Sequence, residues 1–268
     1  MRIGLVQMNT QKDKAENLAE AERLIDVQAR EGARLIMLPE YFNFLGPEKH
    51  WRKNSEELHN SMSLARLQEK AIEHKVYIHC GSFLEKFGSD IHNTAVVFDP
   101  LGDIVAKYRK IHLFDVEVPG GRKYFESETI TAGDEVVTFT VDGIIFGMAT
   151  CYDLRFPELF RVLSARGVQV ILVPAAFTMM TGKDHWELLL RARAVENLCY
   201  VAAAGQYGSC PPSYVSFGRS MVIDPWGVVI SQARDSVTTI SAEVDMKHLA
   251  EIRKTFPALD HVRNEIFG

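Results

Sequence analysis

Gly147-Met148-Ala149-Thr150-Cys151-Tyr152-Asp153-Leu154-Arg155-Phe156-Pro157-Glu158-Leu159 is the stretch on which the reading of this chain turns. The apolar residues Ile144, Ile145, Phe146 and Met148 lead into it as a buried strand would. Pro157 stands where a helix tolerates proline, in the first turn, with no N–H to satisfy. The pattern is a strand, a tight turn carrying a cysteine, and a helix. A sulfur on that bend sits at a strand end, open to a cleft and close to the unpaired N–H groups of a helix start. Those groups favour a thiolate and stabilise an oxyanion forming nearby. An arbitrary cysteine is more often a small buried core residue, so the neighbouring stretches must decide.

Downstream, residues 168–177 read as another buried strand, followed by a loop over 178–183. Asp184 is placed to cap a helix over 185–197, with Trp186, Leu189, Leu190, Ala194 and Val195 as its inner stripe. A strand at 199–204 and a loop containing Gly208 and Pro211-Pro212 lead to a hairpin at 221–230. A strand at 240–244, a helix from Met246 to Thr255 and a mixed tail suited to a neighbouring subunit close the chain.

Upstream, the chain opens on a strand. A helix over 13–31 follows, with Leu18, Ala21, Ile25 and Ala29 at helical spacing and Gly32 to end it. The apolar run 33–38 stops at Pro39-Glu40-Tyr41-Phe42, which puts a carboxylate at the sheet edge where open α/β folds place ligands. Residues 46–60 read as a loop or short helices. A helix over 61–74 has Leu64, Leu67, Ala71 and Ile72 inside, and 76–83 reads as one strand containing a core Cys80. Strands at 94–98 and 104–108 flank the turn Asp99-Pro100-Leu101-Gly102. The second runs into Arg109-Lys110-Ile111-His112-Leu113-Phe114, a pattern that aims a lysine into a pocket. The segment 115–134, with Val118-Pro119-Gly120-Gly121 and Phe125-Glu126-Ser127-Glu128, is long for an irregular connection inside a compact domain, a length often functional. Asp224-Pro225-Trp226-Gly227 repeats the earlier Asp-Pro-Leu-Gly turn between apolar strands. The repeat predicts two similar α/β halves stacked through their sheets in one domain spanning 1–268.

Composition narrows the function classes. The chain has 268 residues, 47% of them hydrophobic, and a formal net charge of -5 from 30 Lys+Arg and 35 Asp+Glu without long runs of one sign. Nothing in this balance suits nucleic acid or an anionic membrane, and no apolar run reaches the ~20 residues of a membrane span. The scattered Cys80, Cys151, Cys199 and Cys210 form no C-x-x-C pair, which argues against a disulfide framework or a zinc site and for a reducing, cytoplasmic location. No metal or cofactor motif is present.

Three strand ends thus offer Glu40, Lys110 and Cys151. A thiol nucleophile needs a base for its proton, a cation for the oxyanion and a donor for the leaving group, and these three side chains meet those needs. Leu38-Pro39-Glu40-Tyr41-Phe42, Tyr108-Arg109-Lys110-Ile111-His112-Leu113-Phe114-Asp115 and Thr150-Cys151-Tyr152-Asp153-Leu154-Arg155-Phe156-Pro157-Glu158 resemble the three signatures of the nitrilase, or carbon–nitrogen hydrolase, superfamily. The match spans nearly the whole chain and is most similar to the branch containing ω-amidases and deaminated-glutathione amidases.

The resemblance implies a four-layer α-β-β-α sandwich, pairing into a homodimer or higher homo-oligomer through the helices after Cys151 and from His185. It implies Glu40 as general base, Lys110 as stabiliser of the tetrahedral intermediate, Cys151 as nucleophile, the Tyr152 backbone N–H in the oxyanion hole, and Glu126 as a second carboxylate positioning Lys110 or the substrate. It implies no metal or cofactor, and hydrolysis of the terminal amide of a small carboxylate-bearing substrate, such as the ω-amide of an α-keto acid or deaminated glutathione, the nitrogen leaving as ammonia while the acyl group forms a thioester on Cys151. Relatives acting on acidic substrates carry an arginine at the position of Arg155; the alternative is that Arg155 pairs with Asp153 or Glu158 as scaffold. Thr178 is a second candidate for the pocket. Arg219 departs from the usual Gly-His-Ser of the branch, and either favours a more acidic substrate or sits on the surface. Hydrolysis of an N-carbamoyl or aliphatic amide is the alternative activity, a nitrilase ranks below it, and a scaffold acting only by binding is disfavoured by the intact Glu40, Lys110 and Cys151.

Overall fold

Apolar runs buried on both faces build two sheets and three apolar layers. The computed structural model describes residues 1–117, 123–210 and 214–267. The expected Val118-Pro119-Gly120-Gly121 and Pro211-Pro212 segments lie outside these, as does Gly268.

The first half runs β1 (Arg2–Gln7), α1 (Lys14–Arg30), β2 (Leu35–Met37), the short α2 (Trp51–Asn54), α3 (Met62–His74), β3 (Tyr77–His79), β4 (Phe83–Phe87), β5 (Asp90–Phe98) and β6 (Ile104–Arg109), then a small hairpin of β7 (Asp115–Glu117) and β8 (Lys123–Phe125). The second half runs β9 (Thr138–Val141), β10 (Ile144–Met148), α4 (Pro157–Ala165), β11 (Val170–Ala175), α5 (Met179–Asn197), β12 (Tyr200–Gly205), the hairpin β13 (Tyr207–Cys210) and β14 (Tyr214–Phe217), β15 (Met221–Ile223) and β16 (Val229–Gln232). The chain then returns to the first sheet with β17 (Thr238–Glu243) and ends in α6 (Met246–Thr255) and α7 (Asn264–Phe267). Among the described residues one sheet has the order β17-β1-β2-β3-β5-β4 with β6 on β5, and the other the order β16-β15-β12-β11-β10-β9.

Period-two alternation assigns each strand residue to a layer. Leu35 and Met37 of β2, with Val170 and Leu172 of β11 and Tyr200 and Ala202 of β12, fill the space between the sheets. Ile36 and Leu38 face α1 and α3. Ile171, Val173, Val201 and Ala203 face α4 and α5. The order is therefore helix, sheet, sheet, helix, the four-layer sandwich expected.

The two Asp-Pro-x-Gly turns are built alike. Asp99 Oδ1 accepts from the N–H groups of Leu101 and Asp103, and Asp224 Oδ1 from those of Trp226 and Val228. Each turn is held by the same helix device: Gln68 donates to the Gly102 carbonyl and Arg191 to the Gly227 carbonyl, at 2.7 and 2.8 Å. The residue four positions on, Ile72 or Val195, lies over that glycine. This corrects the expected inner stripes, because Ile72 and Val195 are each 48% exposed; they cover a turn at the helix flank and do not enter the core.

Two other expectations are overturned. The run 76–83 is not one strand: it breaks after β3, where Gly81 at φ +72° packs so close to Pro39 that a Cβ would stand 1.9 Å from the carbonyl oxygen. The chain then crosses to pair β4 on the far side of β5. The loop expected over 178–183 is helix, because Thr178 is the N-cap of α5, accepting from the Thr181 N–H, and Asp184 lies inside. Gly182 lets Phe217 lie against the helix, 2.4 Å from where a Cβ would be.

Candidate active site

Glu40, Lys110 and Cys151 converge because each follows a strand that ends at the same edge of the sandwich. Strands β1, β2 and β3 are parallel, as are β10, β11 and β12. Strand β11 outlasts β10: the last bond across is from the Ala149 N–H to the Leu172 carbonyl. Pro174 projects toward the side β10 has vacated, where a missing N–H costs nothing. That vacated edge is where the chain turns into Cys151.

The turn is a short 3-10 helix, Cys151–Arg155, inserted before α4. Cys151 has φ +48°, a left-handed conformation that a non-glycine residue adopts only when its surroundings impose it. Asp153, fully buried, imposes it. Its Oδ2 accepts from the Thr150 N–H (2.8 Å) and the Tyr108 hydroxyl (2.6 Å), and its Oδ1 from the His112 N–H (3.0 Å) and Nδ1 (2.7 Å). Tyr108 and His112 flank Lys110 in sequence, so this carboxylate ties the lysine segment to the cysteine turn. Glu40 is fixed in a comparable way. Gln206 donates to its backbone carbonyl at 2.9 Å, and the next residue, Tyr41, is also left-handed at φ +58°.

The charged groups form a compact array. Lys110 Nζ donates to Glu126 Oε2 at 2.8 Å and to Glu40 Oε1 at 3.1 Å. Glu126 also accepts from the Tyr41 hydroxyl and the Phe114 N–H, both at 2.7 Å. Glu40 Oε2 accepts from the Ala176 N–H at 2.8 Å, and Asn93 Nδ2 donates to Oε1 of both acids, at 2.8 Å to Glu40 and 3.3 Å to Glu126. All are buried, and Cys151 is 8% exposed.

Burial would strip the proton from Lys110, but Glu126 and Glu40 outweigh it and hold the ammonium well above the ordinary lysine value. Burial would likewise neutralise Glu126, and the Lys110 charge with its hydrogen bonds instead keeps it below the ordinary carboxylate value. The Cys151 thiol goes the other way. Burial first, then the charge of Glu40, push it well above the ordinary thiol value, with Lys110 opposing. This corrects the expectation of a thiolate favoured by helix-start N–H groups. Cys151 is held as a thiol with Glu40 beside it, an arrangement for proton transfer on demand.

The cleft above Cys151 encloses about 830 Å³ including its open mouth. Tyr41, Trp51, Phe114, Tyr152 and Phe177 wall it, and Arg155 and Thr178 also line it. Arg155 is half-buried, its guanidinium carbon 5.4 Å from the Phe177 ring centre and Nη1 3.3 Å from His185 Nδ1. Asp153 is occupied elsewhere, and Arg155 has no carboxylate partner among the described residues. Thr178 faces the cleft while capping α5. Arg219 does not line the cleft: it pairs with Asp235 at 2.7 Å beside a second hollow.

Asn93, Tyr41 and Asp153 escaped the reading of the sequence as parts of the site. Strand β5 begins at Asp90, four residues before its expected start at Thr94, which left Asn93 outside any element. The signal was present in His92-Asn93-Thr94, three polar residues contiguous with an apolar run and buried with it.

A carbon–nitrogen hydrolase family profile matches residues 2–254. The chain is 41% identical over 267 residues to omega-amidase NIT2 of Xenopus tropicalis, covering 100% of this chain and 96% of the relative. It is 41% identical over 266 residues to a deaminated glutathione amidase of Synechocystis, covering 96% of each. The C. elegans NitFhit protein superposes with a TM-score of 0.92 at 35% identity, covering 100% of this chain, which spans only 66% of that longer one.

Proposed function

The chain belongs to the carbon–nitrogen hydrolase family, and from that premise we propose that it hydrolyses the terminal amide of a small carboxylate-bearing substrate to a carboxylate and ammonia. The ω-amide of an α-keto acid and deaminated glutathione are the substrates this reading favours, and the names of the omega-amidase and deaminated glutathione amidase relatives support it. The observation that carries the reading is Cys151 beside Glu40 and Lys110 at the floor of a cleft whose wall holds Arg155, a cation with no carboxylate partner among the described residues.

Cys151 Sγ attacks the amide carbon as Glu40 takes the thiol proton. Lys110 spends two of its three N–H donors on Glu126 and Glu40, leaving one for the oxyanion, with the Tyr152 backbone N–H as the second donor. Glu40 returns the proton to the leaving nitrogen, ammonia departs, and a thioester remains. Water then gives a proton to Glu40 and attacks the thioester, and Cys151 leaves as the thiol. One amide and one water yield one carboxylic acid and one ammonia. Glu126 holds Lys110 in place, and Arg155 meets the substrate carboxylate, with Thr178 beside it.

The test is ammonia release from α-ketoglutaramate, succinamate, deaminated glutathione, N-carbamoyl amino acids and neutral aliphatic amides, with Cys151→Ala as the blank. Turnover confined to the carboxylate-bearing ω-amides is the expected result. Preference for N-carbamoyl or neutral amides would replace this substrate class with the alternative.

Residues 1–268 we take as one hydrolase domain forming a homodimer through the outer faces of α4 and α5, where Val162 and Leu188 are exposed. A cytoplasmic location is supported by Cys80, Cys151 and Cys199, three buried free thiols. No helix among the described residues is long and apolar enough to cross a membrane.

A further inference from the structure

Asn93 touches Glu40, Lys110 and Glu126 without lining the cleft. Its backbone carbonyl accepts from the Lys110 N–H at 2.9 Å, and its side-chain nitrogen bridges Glu40 Oε1 and Glu126 Oε1. It is 1% exposed, and its Oδ1 has no partner among the described residues. The orientation of the amide is fixed by its chemistry, because the reversed amide would set an oxygen against two carboxylates.

An unpartnered buried carbonyl is costly, and an apolar side chain of the same shape would avoid that cost. Stability alone does not call for asparagine here: without Asn93, Glu40 Oε1 still has Lys110 and Glu126 Oε1 still has Tyr41. What only Asn93 does is join the two acids through one neutral group, so that each keeps its place relative to the other. The groups facing Glu40 are Lys110 beyond β6, Glu126 in the turn after β8, Tyr41 next in sequence, the Cys151 thiol, and the neutral donors Asn93 and the Ala176 N–H.

We propose that Asn93 is a positioning residue for the amidase reaction, its amide holding Glu40 and Glu126 in fixed register across Lys110 so that Glu40 stays aimed at the Cys151 proton. This rests on the function proposed above, and its test is chosen to be separable from it. Asn93→Leu and Asn93→Asp, both close to asparagine in shape, are compared with the parent in three ways: melting temperature, kcat and KM for the best amide, and the rate at which iodoacetamide alkylates the Cys151 peptide. Alkylation needs a thiol that gives up its proton but no substrate.

For Asn93→Leu the expected result is an unchanged or higher melting temperature, kcat lower by about tenfold or more, KM within about twofold, and alkylation slowed in parallel with kcat. Asn93→Asp, with a third acid facing the first two, should be slower still. Parent-like kcat and alkylation in a folded Asn93→Leu would overturn the proposal, as would two variants that both fail to fold, which would make the role structural. If the parent hydrolyses no amide but alkylation still falls in the variants, the substrate reading has failed and the role of Asn93 stands.

Discussion

Lys110 shows what the site requires of a single residue. It lies between Glu126 and Glu40 with 2% of its side chain exposed, so Lys110→Ala removes the oxyanion cation and also strands two buried acids. We expect turnover to vanish and, since breaking a buried ion pair typically costs about 3–5 kcal/mol, a urea midpoint well below the parent's. Arg155, at the rim, should behave differently. Arg155→Met is expected to raise KM for a carboxylate-bearing amide by about tenfold to a hundredfold, the worth of a charge-assisted contact, and to leave a neutral amide unaffected. Steady-state kinetics on the two substrates would check this. Glu40, Lys110 and Cys151 were legible in the sequence because each closes an apolar run, and a reactive side chain at a strand end is a local pattern. Asn93 and Asp153 were not, because their partners lie 53 and 45 residues away in the chain, and only the fold brings them together.

Elements were legible where periodicity and capping agreed. Helix α1 begins after Asp13, whose side chain accepts from the N–H groups of Ala15 and Glu16, and ends before Gly32 at φ +83°. Helix α5 was misread at its start because Asp184 was taken as the cap; the cap is Thr178, and the six residues between, 179–184, are helical and lie on the stretch of α5 that meets β14. The exposed side of α5 carries Leu188 at 66% exposure, on the face proposed above for the homodimer. The homodimer proposed through α4 and α5 predicts that Leu188→Glu gives a monomer, and the parent a dimer, in size-exclusion chromatography with light scattering. An unchanged mass would move the interface elsewhere.

At the scale of the molecule, two layered halves were legible from the repeated Asp-Pro-x-Gly turns, and the packing gives the reason: each turn is pinned by a helix of its own half through the same pair of contacts. The tight interior has a consequence for pH. Burial pushes the thiols of Cys80 and Cys199 up to about 12, so above the unfolded value near 9 the unfolded chain releases protons that the folded one keeps. Stability is then full below pH 9 and falls between pH 9 and 12, by about 1.4 kcal/mol per pH unit for each thiol. Urea unfolding across that range would show the slope, and Cys199→Ala should lessen it. The central claim, that Cys151 carries the acyl group, is tested most directly by acid-quenching the first turnover with succinamate and locating the adduct by peptide mass spectrometry. The account predicts a succinyl thioester on the Cys151 peptide, released by hydroxylamine, and neither adduct nor ammonia with Cys151→Ala. Ammonia released at the parent rate by Cys151→Ala would contradict it.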